Sequence, residues 1–410
     1  MSSITAIIPT YNRARYLIEA VNALLAQTRR PDEIIVCDDG STDATEVVAK
    51  RFGQEIRYFR IENGGKSKAL NTAMRQARGD LIWICDDDDL ALPQTAEVLA
   101  GMLEAAPQAG ISGGGYRRFR DGQGGVRSEE GPGYWPDLSN GSPVRHLLED
   151  IFLFQNAMMV RRNIYDRAGP FREDLPRSID YEMLIRLATL SPIVLTDAPL
   201  FLQRKHDGDR GPAGARHAAA KSEEVWKDAD RTIFAEFRDR IPLGFYEAMF
   251  DADSRHAVAR AALLQRACVH ARRTDWVSAR KDFDRAAAIM PAKPLCAVEQ
   301  AICRRAMAGK HGIEESMSPA SRRGLRALSR QNACGASIAN ALVRGLAWRL
   351  KAAVRERDAT TAARLLRLSS GLVSPISGRG VSGLQTIERR NIPAAAFLSS
   401  WCTDSRPGRA

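Results

Sequence analysis

Along the first 105 residues, short apolar runs alternate with longer amphipathic stretches. "ITAIIP" (4–9) is a run of the length and composition of a buried strand, and "RARYLIEAVNALLAQ" (13–27) follows with Leu17, Val21, Leu24 and Leu25 at helical spacing. The same alternation repeats. "EIIVCDD" (33–39) predicts a strand and "STDATEVVAKRF" the opening of a helix. "IRYFRI" (56–61) predicts a strand, "KSKALNTAMRQA" (66–77) a helix, "LIWIC" (81–85) a strand and "PQTAEVLAGMLEA" (93–105) a helix. Strands that are apolar throughout and alternate with helices indicate a parallel, doubly wound α/β sheet covered on both faces. Such sheets bind ligands at the carboxyl ends of their strands. Here those ends carry "PTYN", "CDDGSTD" and "DDDD".

The pattern then changes. Residues 120–143 are rich in Gly, Pro and acids and predict a long loop. Strand-like "NAMMVRR" (156–162), a helix over 180–190 and "PIVLTDAPLFLQR" (192–204) complete a first domain at residues 1–206, with 207–216 as linker. Residues 217–368 are Ala-, Arg- and Leu-rich with helical periodicity, so an all-α domain is expected. Ala279, Phe283, Ala286 and Pro291 match the spacing of one tetratricopeptide-like helix, but an array needs about three copies. The Gly/Ser/Pro-punctuated stretch 369–410 is expected to be a loop-rich tail.

Charge sharpens this division. Residues 1–210 carry 26 Lys/Arg against 30 Asp/Glu, whereas residues 211–410 carry 34 against 19. The basic half suits an anionic surface such as a membrane leaflet, or simply a solvated helical face; nucleic acid is not expected as a partner. Within "SIANALVRGLAWRLKAAVRER", Ile338, Leu342, Leu346 and Leu350 recur on one side, with Arg344, Lys351 and Arg355 opposite. That stripe either lies on a membrane or packs in the domain core. The seven scattered cysteines show no CxxC or CxxH spacing, and no apolar run of about 18 residues occurs. Reduced thiols and a cytoplasmic location, at most peripheral on the inner membrane face, are the expectation.

The chemistry concentrates in "WICDDDDLALP" (83–93). Four adjacent carboxylates behind a buried strand repel one another and call for a cation. Acids preceding a helix also arise simply because they suit its dipole.

Taken in order, "IIPTYNRARYLIEAVNALLAQT", "EIIVCDDGSTDAT", "NGGKSKALNTAMRQARGDLIWICDDDD" and "AGPFREDLPRSIDYEMLIRLA" resemble the family 2 glycosyltransferases of GT-A fold, over residues 3–206. The resemblance implies inverting transfer of a sugar from a nucleotide diphosphate, with a UDP-sugar expected, to a hydroxyl of a glycan or lipid-linked acceptor. It implies a divalent metal, Mn²⁺ or Mg²⁺, on a DxD-like element: Asp86 and Asp88, or Asp88 and Asp89, with Asp87 as spacer. It assigns Pro9, Thr10, Tyr11, Asp38 and Asp39, with Asp86 and Asp87, to the nucleotide-sugar, adds Lys66 or Lys68 for a phosphate, and places His206 near the metal. The base falls on Asp180, with Ile179 where the family has a second acid and Glu182 as fallback. No QxxRW follows Asp180, which favours single additions over polymerisation. The alternative is a protein that binds nucleotide-sugars without catalysis, or a helical scaffold.

Overall fold

The computed structural model describes residues 1–122, 126–205, 222–309, 311–372 and 386–401. They form two compact units: the described residues within 1–137, 151–226 and 397–401 make the first, and those within 138–150 and 227–396 the second.

The first unit is built on a nine-stranded mixed sheet. Strands β1 (Ile4–Thr10), β2 (Glu33–Asp38), β3 (Arg57–Arg60) and β4 (Leu81–Ile84) run parallel in the order β3-β2-β1-β4. Helices α1 (Ala14–Leu25), α2 (Thr45–Lys50), α3 (Lys66–Gln76) and α4 (Thr95–Ala105) alternate with these strands and cover them. β1 and β4 are buried along their whole length, as double coverage requires. Their core of Ile4, Ile8, Val36, Leu81 and Trp83 packs with Leu17, Val21 and Leu24 of α1.

Beyond β4 the sheet turns antiparallel. β8 (Met158–Arg161) pairs β4 and β6 (Ile111–Asp121), β9 (Ile193–Arg204) lies parallel to β6, and β5 (Leu90–Ala91) closes the edge. Gly115 is required where β6 approaches β9, because a Cβ there would sit 2.7 Å from the Asp197 carbonyl oxygen.

The loop expected over 120–143 is in part a hairpin: β7 (Arg127–Pro132) pairs antiparallel with the end of β6. β7 is exposed on nearly every residue, so it has no apolar alternation to reveal it. Backbone pairing and cross-strand charges such as Arg117–Glu129 (2.9 Å) hold it instead. Helices α6 (Arg162–Ala168) and α7 (Ile179–Leu190) complete the unit with residues 397–401. The indole Nε1 of buried Trp401 donates to Thr189 Oγ1 at 2.7 Å, so this stretch of the tail is anchored on α7.

The second unit is mainly helical. It contains α5 (Pro143–Glu149), α8 (Ser222–Arg240), α9 (Leu243–Glu247), α10 (Arg255–Arg272), α11 (Trp276–Ile289), α12 (Ala297–Ala306) and α13 (Ile313–Ser316). α14 (Pro319–Gln331), α15 (Ala333–Gly345), α16 (Ala347–Arg355) and α17 (Ala359–Ser370) follow. A small antiparallel pair, β10 (Phe250–Ala252) with β11 (Ile387–Arg389), ties the chain's last part to the domain.

The stripe Ile338, Leu342 and Leu346 is interior packing: all three are buried, and Leu350 is half-buried. The segment is two helices rather than one, broken at Leu346. Gly345 lets α15 approach α12, since a Cβ would lie 2.3 Å from the Arg304 carbonyl oxygen. The membrane reading of that stripe is thereby corrected. No described helix is long and apolar enough to cross a membrane.

Candidate active site

Register brings the motifs to one edge. Thr10 pairs with Asp38 across β1 and β2, Asp38 with Arg60 across β2 and β3, and Ile7 with Ile84 across β1 and β4. The carboxyl ends of β1, β2 and β4 therefore deliver the segments 10–13, 38–43 and 86–89 side by side.

Asn12 fixes the first two. It adopts the left-handed conformation (φ 54°) that asparagine tolerates. Its Oδ1 accepts from the Thr42 backbone N–H at 2.7 Å, and its own N–H donates to Ser41 Oγ at 2.8 Å. Asp38 is fully buried; its oxygens accept from the Ser41 N–H (2.8 Å) and the Tyr58 hydroxyl (2.6 Å). It braces the loop from beneath. Asp39 receives the N–H groups of Gly64 and Gly65, each at 2.8 Å, and the Asn63 amide at 3.1 Å. Burial raises its pKa despite those bonds. It thus clamps the glycine turn that opens α3, where Gly65 has φ 93°. Lys68 folds over Gly64: a Cβ there would meet its side chain at 2.3 Å.

The four acids divide by direction. Asp87 and Asp89 are buried. Asp87 accepts from Thr10 Oγ1 at 2.7 Å. Burial, then the Asp88 charge, push it up to about 7, against the pull of Arg13. Both Asp89 oxygens are taken, one by the Arg204 backbone N–H (2.8 Å) and one by Asn156 Nδ2 (2.9 Å). Burial holds Asp89 well above the usual carboxylate range. Each Asp89 oxygen is thus held by a protein donor, which makes Asp86 with Asp88 the more open of the two expected pairs. Asp86 and Asp88 face outward, with side chains 35% and 20% exposed. Asp86 pairs with Lys66 Nζ at 2.5 Å, and Asp88 pairs with the Arg13 guanidinium.

Asp180 belongs to the same cluster. Burial alone would lower the Lys66 ammonium, but the charges of Asp86 and then Asp180 outweigh it and hold Lys66 above its ordinary value. Asp180 is half-buried in the first turn of α7, after Ser178 in a left-handed conformation (φ 57°). Glu182 is no fallback. It is buried and bound to Arg186 at 2.8 Å. Pro9, Thr10 and Tyr11 lie at the end of β1 and just beyond, and Thr10 is spent on Asp87. His206 lies outside the described residues.

Three contributors were missed in the sequence. Arg13 follows "PTYN" directly, so its position beside the motif was a usable signal. Asn156 accepts the Asp86 N–H at 2.6 Å while donating to Asp89, and Arg204 Nε holds the Asp88 carbonyl at 2.7 Å. Asn156 lies in the turn before β8 and Arg204 at the end of β9, both distant in sequence, and nothing local marks them.

The outward pair fits a hard divalent cation. Mg²⁺ and Mn²⁺ take one or two carboxylates together with phosphate oxygens and water. Among the described residues no three His, Cys, Asp or Glu side chains converge as a closed ligand set. Two open carboxylates, each already facing a cation, match a site that shares its metal with a diphosphate. A cavity of about 590 Å³ lies at the opposite, amino ends of the strands around Thr5, Glu33 and Arg57 and contains none of these acids. The convergence of charged groups at the carboxyl ends is the better guide to chemistry.

Comparison with known proteins agrees. Residues 5–169 match the model for glycosyl transferase family 2. An uncharacterized glycosyltransferase of Rickettsia conorii is 31% identical over 206 residues, 50% of this chain but 34% of that protein. The chondroitin synthase of Escherichia coli is 28% identical over 189 residues, 45% of this chain and 26% of the synthase. The chain thus matches only about a third or less of these relatives' length. Among solved structures, S. aureus TarS 1-349 in complex with UDP-GlcNAc superposes with a TM-score of 0.50 at 17% identity, covering 85% of this chain and 91% of that one. With their mixed sheet and strand-end acids, residues 5–169 thus resemble glycosyl transferase family 2, on an N-terminal domain of GT-A fold.

Proposed function

We propose that the protein transfers a single sugar, with inversion, from a nucleotide diphosphate donor, a UDP-sugar in the first instance, to a hydroxyl of a glycan or lipid-linked acceptor. The observation that carries this is the cluster of Asp86, Asp88, Lys66, Arg13 and Asp180 at the carboxyl ends of β1 and β4 and the start of α7. The leaving diphosphate gains charge as the glycosidic bond breaks, and Lys66 and Arg13 are placed to balance it. Asp86 and Asp88 would hold Mn²⁺ or Mg²⁺, which when bound supplies Lewis-acid stabilisation of the diphosphate. Asp180 accepts the acceptor's proton as its oxygen attacks the anomeric carbon from the face opposite the leaving group. Asp39 and the turn at 63–65 give the nucleotide a rigid wall; the UDP-GlcNAc complex of TarS makes uridine the first base to try.

The test is a thermal-shift and turnover screen of UDP-, GDP- and dTDP-sugars with Mn²⁺ or Mg²⁺, repeated with chelator and with Asp88→Ala. A donor-specific shift should appear, and metal-dependent release of nucleoside diphosphate should fall by about 10²-fold or more in the variant. Undiminished release under chelator, by the native chain and the variant alike, would overturn the metal assignment. The lack of any donor shift would overturn the reading as a whole.

A further inference from the structure

The second unit has a groove that the transfer chemistry does not use. It is an open depression with a volume of about 360 Å³. It is lined by Ala308, Gly345, Ala347 and Trp348 together with Arg304, Arg344, Lys351 and Arg305, the last of which is paired with Glu149.

Two features mark it, a pair of cations converging on one oxygen and a fixed indole. Several arginines of this unit find carboxylates: Arg231 with Glu315, Arg238 with Asp275, Arg266 with Asp282, Arg280 with Asp284. Among the described residues no carboxylate pairs with Arg304, Arg344 or Lys351. The two arginines instead converge on one neutral oxygen, Gln300 Oε1, at 3.4 and 3.3 Å. Gln300 is oriented for this by its own amide, which donates to the Leu295 carbonyl at 2.9 Å. Two cations turned onto one amide oxygen leave a focus of positive potential with no protein anion to meet it.

Trp348 supplies the second chemistry. It is 50% exposed, yet its ring is held: the Arg349 guanidinium stacks 4.6 Å from the centroid and is itself bonded to the Gly309 carbonyl. A fixed aromatic surface beside alanine and glycine presents a flat apolar face to a ligand, and the cations present charge. A sugar ring offers the C–H face that lies flat on an indole, and a phosphate or carboxylate on the same chain meets the arginines.

We propose that this groove binds an anionic glycan, as a second contact for the acceptor. The word "acceptor" rests on the glycosyl-transfer reading; the binding itself does not.

The test measures binding of four probes to the full chain by calorimetry: an unsulfated chondroitin tetrasaccharide (carboxylate), an oligo(glycerol phosphate) (phosphate), maltotetraose (neutral) and a short oligothymidylate. At least one of the two anionic polyols should bind, more weakly as salt rises, and the pair of results identifies which anion is preferred. Trp348→Ala, and the double change Arg304→Gln with Arg344→Gln, should each weaken that binding about tenfold or more. Their donor-induced thermal shift should equal that of the native chain, which also shows them folded. The proposal is overturned if neither anionic probe binds, if the variants bind as tightly as the native chain, or if maltotetraose or the oligothymidylate binds as well. Glycan binding that persists when no nucleotide-sugar shifts the protein would sink the transferase reading and leave the groove standing.

Discussion

Two clusters of charge, one in each unit, are near mirror images. At the strand ends of the first unit, four aspartates face two cations, Lys66 and Arg13. In the second unit, one buried carboxylate, Glu149, is ringed by guanidiniums. Arg305 pairs with it, Arg145 NH1 lies 3.7 Å away, Gln265 donates at 2.8 Å, and Arg272 and Arg273 both bind its carbonyl oxygen at 3.0 Å. The titration behaviour is opposite. Burial alone would raise Glu149, but Arg305, Arg272 and Arg145 bring it down to about 2. Burial, then Arg145, lower His146 to about 4, and burial lowers Arg145 to about 10. In the cleft Asp87 rises to about 7. The difference lies in where the unbalanced charge ends. Around Glu149 the anion is spent entirely on protein donors, which makes the cluster scaffold. In the cleft Asp86 and Asp88 stay partly exposed, as the proposed site requires.

The sharpest way to break this comparison is Glu149→Gln. Removing the anion strands several buried cations, so stability should fall by about 3–5 kcal/mol in urea unfolding, with turnover per folded molecule unchanged. The same cluster predicts acid lability. The depressed His146 contributes stability that is present above its ordinary 6.5 and lost as pH falls toward 4. The depressed Glu149 contributes stability present above 4.5 and lost as pH falls toward 2. Circular dichroism melts from pH 7 to 3 should show a falling Tm, with a shallower fall at the acid end in Glu149→Gln.

In the cleft the same kind of change should act on rate. Asp180→Asn keeps shape but cannot take a proton, so kcat should drop by about 10²-fold or more, with donor affinity and Tm preserved. Lost donor binding would instead make Asp180 a donor ligand. Asn156→Ala lies between the two classes. It frees the Asp86 N–H and one oxygen of buried Asp89, so it should cost about 1–2 kcal/mol and raise the donor KM as well. The smallest stability effect belongs to Asp86→Asn. A half-exposed ion pair contributes about 0–1 kcal/mol, so Tm should barely move while metal-dependent turnover falls. A large loss of Tm there would erase the distinction between site and scaffold.

What could be read beforehand followed periodicity. β1, α1, β2, α3 and β4 lie within a residue or two of their expected bounds, because buried parallel strands and amphipathic helices write their period into the chain. β7 was hidden because it is exposed on nearly all its residues and held by backbone and charge pairs. The stripe Ile338–Leu342–Leu346 was visible as apolar, but periodicity does not say what covers an apolar face, and only packing shows it to be core.

The site divides along the same line. By itself the sequence determined which residue types gather at the strand ends, since that follows from element order and a parallel sheet's geometry. It thereby placed Asp39 and Asp86–Asp89 in one neighbourhood, while Lys66 and Asp180 joined them only through the family resemblance. It did not determine which of four adjacent aspartates turns outward. Neighbouring side chains in an irregular turn have no fixed period, and their direction is set by the partners that claim them: Thr10 for Asp87, Asn156 and the Arg204 N–H for Asp89. Those partners arrive from β1, from the residues before β8 and from β9, over separations of 77, 67 and 115 residues. Only the folded sheet brings them within bonding distance, and so only the tertiary structure decided that Asp86 and Asp88 are the two that stay partly exposed.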